Sequence, residues 1–336
     1  MSDTIKIDEL KNENKKLLYK HLWENKHFGF NVIRTGKTDP SYEFEFAGKS
    51  FVDFIGEAIA ENFDIKDKKL FLEKFNMSCS GTGDEIKKIT TLHSSSLCAL
   101  LFFFNVREHN KLIFEELKGY EFTQSFFEFK NRVIGYPSNI DVVLLGKNIK
   151  TKKKVILFLE SKFSEYITGI NNPGTQYEIG KSYFKEGCFS APIYNSLSGN
   201  VTLKNVDGKY YISADTSKYL EGLKQMVSHY YGIRNFMNEE YYEKDNETLP
   251  LVLDYKADEF LLGEILFDNF GKDLRDKYLL PYEEDYTNLA KIINAQCEKE
   301  RITNFHVIEN SLHYSSLALK NFISDFPKIK DFYFGE

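Results

Sequence analysis

Two neighbouring stretches, PSNIDVVLL (Pro137–Leu145) and VILFLESKFSEY (Val155–Tyr166), decide how this chain folds. Their apolar portions, Ile140–Leu145 and Val155–Leu159, lack the clean alternation of a strand with one wet face. Each therefore reads as a central strand covered on both faces. GKNIKTKKK (Gly146–Lys154) lies between them, polar and lysine-rich, and reads as a hairpin connection. Each strand carries an acid at the edge of its apolar run, Asp141 and Glu160, where Asp and Glu are normally depleted. Glu160 and Lys162 are two residues apart and point to the same face of their strand. If the strands pair through the hairpin, Asp141 comes beside Glu160, and two carboxylates and a lysine converge at one end of a hydrophobic sheet.

Such a trio has a use in chemistry. Two carboxylates close together repel, and one takes up a proton unless a cation neutralises them. Mg²⁺ suits the arrangement, because it is a hard ion held by one or two carboxylates with its other positions left to water and substrate phosphate. The lysine can orient an attacking water and stabilise charge on the phosphate. Its ordinary pKa of about 10.4 is too high for an efficient general base at neutral pH. A metal ion and partial burial push that value down and the carboxylates push it up, so base or electrostatic clamp depends on metal occupancy. The competing structural reading is an ion pair across neighbouring strands.

Outward from this pair, the first ~75 residues read mainly helical, with leucines at helical spacing in Asp8–Trp23 and a similar pattern in Asp67–Phe75. SCSGTG (Ser78–Gly83) is a small-residue loop, followed by Asp84 and Glu85 where acids favour a helix N-terminus. Ser94–Val106 reads as a buried helix capped by a serine. Phe126–Ile134 is a further strand, and Asp215–Phe236 the clearest helix of the second half. Leu249–Leu253 and Leu261–Phe267 look like two more strands, and the remainder from Asp273 is mostly helical. Helices, then strands, then helices predict a mixed α/β fold. The expected division is a helical N-terminal region (1–78), a core with a central mixed β-sheet flanked by helices (79–270) and a helical C-terminal region (271–336), which can pack as one domain.

The 336 residues suit about two domains, or one large domain with insertions. At 42% apolar and 28% charged, the chain has an ordinary globular composition, which excludes intrinsic disorder. No 20–50-residue period repeats, which excludes solenoids and propellers. The longest apolar run, Leu97–Phe104, falls far short of the ~20 residues that span a bilayer. The polar N-terminus lacks the apolar stretch of a secretory signal, and Cys79, Cys98, Cys188 and Cys297 are scattered without zinc-site spacing. A cytoplasmic, free-thiol protein with no membrane partner is expected. The net charge of −6 argues mildly against a nucleic-acid-coating protein, though a local patch can still bind DNA.

An Asp on one strand and Glu-x-Lys on the next resemble the signature of the PD-(D/E)xK nuclease superfamily. GDEIKKITTLHSSSLCALLFF (Gly83–Phe103), SNIDVVL, ESKFSEY and KQMVSHYYGI (Lys224–Ile233) resemble its bacterial restriction-endonuclease-like branch. The likeness covers roughly residues 80–235. It departs at Asn139-Ile140-Asp141, where the superfamily has Pro-Asp; the proline here is Pro137. The resemblance implies a restriction-endonuclease-like core, Asp141 and Glu160 as metal ligands, Lys162 as the catalytic lysine and Glu85 as a candidate accessory acid. For Glu85 an ordinary acid at a helix N-terminus is the competing reading. Gln225 and His229 are four apart and share a helix face. Some nucleases of the superfamily use such a glutamine to support the site or touch DNA; ordinary helix packing is the alternative. The implied function is a Mg²⁺-dependent endonuclease, with Mn²⁺ able to substitute, cutting double-stranded DNA in restriction or phage defence. It would leave a 5′-phosphate and a 3′-hydroxyl, and a homodimer suits two-strand cleavage. The alternatives are a repair or recombination nuclease of the same fold and a catalytically silent DNA- or protein-binding module. The lysines of 147–154 read equally as phosphate grips or as a solvated hairpin. His93 with Ser94–Ser96 reads as capping and packing, and SGTG lacks the lysine of a phosphate-binding loop.

Overall fold

Val142 pairs with Leu159 and Lys147 with Lys154, so the two apolar runs form the antiparallel hairpin that their spacing predicts. Its turn is closed by Asn148, whose Oδ1 accepts the backbone N–H groups of Lys150 and Thr151 at 3.0 Å each. The computed structural model describes residues 13–24, 31–35, 41–45, 52–80, 89–91, 93–133, 137–179 and 201–335.

Along the chain come α1 (Glu13–Glu24), an antiparallel pair β1 (Asn31–Thr35) and β2 (Ser41–Glu45), α2 (Val52–Asn62), α3 (Lys68–Ser78) and α4 (Ser95–Phe103). Strands β3 (Tyr120–Arg132), β4 (Pro137–Asn148) and β5 (Lys154–Lys162) follow, then the short α5 (Glu165–Thr168). A three-stranded sheet is built from β6 (Tyr177–Ile179), β7 (Val201–Val206) and β8 (Lys209–Ala214). Next come α6 (Leu220–Met237), α7 (Leu249–Asp254) and β9 (Glu259–Leu266). A helical turn and a π-helical turn (Lys272–Leu279) run into α8 (Leu280–Lys299). β10 (Phe305–Val307), β11 (Leu312–His313), α9 (Leu317–Phe322) and α10 (Pro327–Phe334) complete the chain.

The central sheet has the order β10-β9-β5-β4-β3, with β11 also paired to β9. β3, β4 and β5 are mutually antiparallel, whereas β5, β9, β10 and β11 pair in parallel. It is thus a mixed sheet in an α/β fold, with helices on both faces. Val142, Leu144, Leu157, Leu159 and Ile265 pack into a core shared with α2, α3, α4 and the C-terminal helices. The alternate residues Val143, Leu145, Ile156, Phe158 and Leu262 pack against α6 and α8. Both faces of β4 and β5 are covered, which is why their sequences show no alternation. Among the described residues no helix is long and apolar enough to cross a membrane.

Four expectations need correction. Leu249–Asp254 is a helix, not a strand: Pro250 occupies its first turn, where a missing N–H costs nothing. The N-terminal region is not purely helical, since β1 and β2 interrupt it. The helix expected over Asp215–Phe236 begins only at Leu220, and the described residues ahead of it, Tyr177–Ile179, Val201–Val206 and Lys209–Ala214, form a sheet. The last 60 or so residues are not all helical either, because β10 and β11 extend the central sheet.

Candidate active site

Extending the β4–β5 register by one step beyond Val142–Leu159 sets Asp141 beside Glu160. On the other side of β5, Glu160 pairs directly with Glu264 of β9. Toward β3, Glu128 falls opposite Asp141, between the pairs Phe127–Val142 and Phe129–Ile140. A row of four acids therefore crosses four neighbouring strands, on the face that carries α6. Glu128 is buried and has a left-handed backbone (φ 50°), a strained conformation for a glutamate in a strand.

Lys162 neutralises part of this row. Its ammonium lies 2.5 Å from Glu160 Oε1 and donates to Gln225 Oε1 at 2.8 Å. Glu160 Oε2 lies 2.7 Å from Nε2 of His229, whose Nδ1 is 2.6 Å from the Ser138 hydroxyl. Asp141 Oδ2 accepts the backbone N–H of Ser161 at 2.7 Å. Ser161 itself points to the opposite face, where its hydroxyl meets that of Tyr314 at 2.8 Å. Glu160, Lys162 and His229 are each 3% exposed, while Asp141 is only partly buried.

These surroundings separate the two candidate ligands. Burial, then the charges of Glu160 and Glu128, push the Asp141 carboxyl well above its ordinary range, against the pull of Lys162 and the Ser161 N–H. Burial acts to raise Glu160 as well, but the Lys162 ammonium and His229 overcome it and hold the carboxyl at about 2. Burial works to lower Lys162; Glu160, followed by Tyr219, Glu165 and Asp141, outweighs it and keeps the amine well above its usual value. Glu264 goes the other way: burial pushes it up to about 8, and the Tyr282 hydroxyl donates to its oxygens at 2.8 and 2.9 Å.

Asp141, Glu160 and Lys162 line a cavity of about 480 Å³. Gln225 and Tyr219 form its wall on the α6 side, and His93 with Ser94–Ser96 forms the other, at the start of α4. Ser94 caps α4 through the Leu97 N–H at 3.0 Å, and Tyr19 lies 3.0 Å from His93 Nδ1. Burial pushes His93 down to about 4. Capping and packing are thus real, but these residues also face the cavity.

The structure brings together Asp141, Glu160, Lys162 and Gln225. Glu85 lies outside the described residues, as does the second half of the SCSGTG loop, Gly81–Gly83. The lysine-rich hairpin is at the other end of β4, six residues or roughly 20 Å from Asp141. There Lys147 pairs with Glu121 at 3.0 Å and Lys153 with Glu259 at 3.4 Å, so the hairpin is a solvated, ion-paired turn remote from the cavity. Sequence reasoning left out Glu264, although an acid inside the apolar LLGEIL run is the same signal that marked Glu160. It noted the shared face of Gln225 and His229 but not His229's contact with Glu160.

The chain matches no protein-family profile, no curated protein and no solved structure.

The donor set fits a hard divalent cation. Asp141 and Glu160 offer carboxylate oxygens from adjacent strands, and Asn139, two residues before Asp141 and lining the same cavity, has a buried Oδ1 without a hydrogen-bond partner. Among the described residues no three or more His, Cys, Asp or Glu side chains form a metal cage. Mg²⁺ does not need one, since it keeps several waters and takes substrate phosphate oxygens.

Proposed function

We propose that this chain is a metal-dependent endonuclease with a restriction-endonuclease-like core, hydrolysing phosphodiester bonds of double-stranded DNA in the cytoplasm. A role in restriction or phage defence fits this reading. The observation that carries it is the placement of Asp141 and Glu160 on adjacent central strands, with Lys162 on the same face, all three lining one cavity.

Asp141 and Glu160 would hold Mg²⁺ or Mn²⁺, with the Asn139 carbonyl available as a further oxygen. When bound, the cation supplies a more acidic water and charge neutralisation on the phosphate. Without a cation the carboxylate neighbours keep Lys162 charged, which suits an electrostatic clamp on developing phosphate charge. Gln225 fixes the direction of that ammonium. A homodimer would present two such sites to the two strands.

One observation favours a second reading, a catalytically silent module. Both oxygens of Glu160 already have partners, and its side chain is almost completely buried. Cleavage of supercoiled plasmid separates the two. Wild type should nick or linearise it with Mg²⁺ or Mn²⁺ and not with EDTA, and Asp141→Ala should lose at least a hundredfold in rate. Equal rates for the two proteins would remove Asp141 from the site. Comparing linear with covalently closed substrate distinguishes an endonuclease from an end-processing repair enzyme.

A further inference from the structure

We propose that His229 is a positioning residue for Glu160, itself held in place by Ser138, and that this hydroxyl–imidazole–carboxylate chain ties together the two acid-bearing strands of the site. The inference rests on the nuclease reading above and adds residues to it.

The geometry is directional. A carboxylate only accepts, so Glu160 calls for a proton on the facing Nε2; Ser138 Oγ, which accepts from the Ser228 hydroxyl at 3.3 Å, lies 2.6 Å from Nδ1 and donates there when the ring is neutral. With Nδ1 accepting, the ring proton sits on Nε2 and is donated to Glu160 Oε2 at 2.7 Å. Lys162 holds the other oxygen, so rotation of the Glu160 carboxylate breaks two buried hydrogen bonds at once. Ser138, Ser228 and His229 are all buried, so water cannot replace a lost partner freely.

Connectivity gives the arrangement its consequence. Ser138 lies on β4, three residues before Asp141, while Glu160 lies on β5 and His229 on α6. The support of one candidate ligand therefore starts on the strand of the other, and α6 locks the pair. Packing alone would be served by an apolar side chain of similar volume. An apolar side chain would leave Glu160 Oε2 and the Ser138 hydroxyl without their partner. Outer partners of ligating carboxylates are typically worth 10–100-fold in metal affinity or activity.

The test is Mn²⁺ binding to the full chain without DNA, by titration calorimetry, with folding of each variant checked by circular dichroism. Wild type should bind and Asp141→Ala should not. His229→Leu should weaken binding by 10–100-fold. His229→Gln, whose amide N–H can reach the Nε2 position, should recover most of the loss. In long-range ¹H–¹⁵N spectra, His229 should show a protonated Nε2 in wild type, and Ser138→Ala should bind Mn²⁺ more weakly. A folded His229→Leu that binds Mn²⁺ like wild type, while Asp141→Ala does not, overturns the positioning role and leaves the nuclease reading standing. If His229→Leu does not fold, an unchanged Mn²⁺ affinity in Ser138→Ala overturns it instead. A wild type that binds no Mn²⁺ removes both.

Discussion

At the scale of single residues, Asp141 and Glu160 are chemically unequal before any cation binds. Asp141 sits between two other acids and has its carboxyl raised by burial and by Glu160 and Glu128. A divalent cation needs the ionised form, so in the proposed site cation and proton would compete for Asp141. Affinity should then rise with pH, by up to tenfold per unit below the raised pKa, with protons released on binding. Titrations at several pH values, in two buffers of different ionisation enthalpy, measure both; a pH-independent affinity contradicts the assignment. Glu264 gives a stability counterpart. Its folded pKa of about 8 lies above the ordinary 4.5, so the fold holds a proton that the unfolded chain releases. Its stabilising contribution is full below pH 4.5 and is lost as pH rises through 8, at about 1 kcal/mol per unit within that window. Glu264→Gln should gain stability relative to wild type as pH rises from 5 to 8, read by urea unfolding. A constant difference across that range would mean Glu264 is ionised in the fold. Asp141, Glu160 and Lys162 were legible because acids stand out in apolar strands and a spacing of two shares a face. The bond from His229 to Glu160 spans 69 residues of sequence, and no local pattern reports it.

At the scale of elements, the β4–β5 hairpin was legible because its apolar runs, turn and register agree with one another. Its neighbour β3 is wider than expected, reaching back to Tyr120 through an irregularity between Phe122 and Gln124. There the β3 backbone closes onto Gly146, where a Cβ would fall 2.1 Å from the Glu121 carbonyl oxygen. Gly146→Ala should destabilise the fold by about 1–3 kcal/mol through overpacking, measured by denaturant midpoint. A variant as stable as wild type would mean that β3 moves aside easily. Helix α7 was misread because LPLVLD is too short for period 2 and period 3.6 to be told apart, and Pro250 marks its start. The β7–β8 hairpin was missed despite Asp207-Gly208 in its turn, a strong hairpin signal set between two alternating runs.

At the scale of the whole molecule, the sheet is completed by chain segments far apart in sequence. β9 enters beside β5, and β10 and β11 then pair with β9, so the C-terminal part belongs to the same sheet as the candidate site. Tyr314 from that part is buried against Ser161, between Glu160 and Lys162. Parallel pairing of this kind leaves little trace in a sequence, since the partners share no turn. The cavity lies at one end of the sheet, with the charged hairpin at the other, and under the proposed function a phosphodiester would meet the acids and Lys162 there. The most direct measurement is single-turnover cleavage of a labelled DNA duplex by wild type and Asp141→Ala in Mg²⁺, with the product ends identified. The account predicts metal-dependent hydrolysis leaving a 5′-phosphate and a 3′-hydroxyl, lost in Asp141→Ala. Cleavage that persists in the folded Asp141→Ala protein, or that needs no divalent cation, would contradict it.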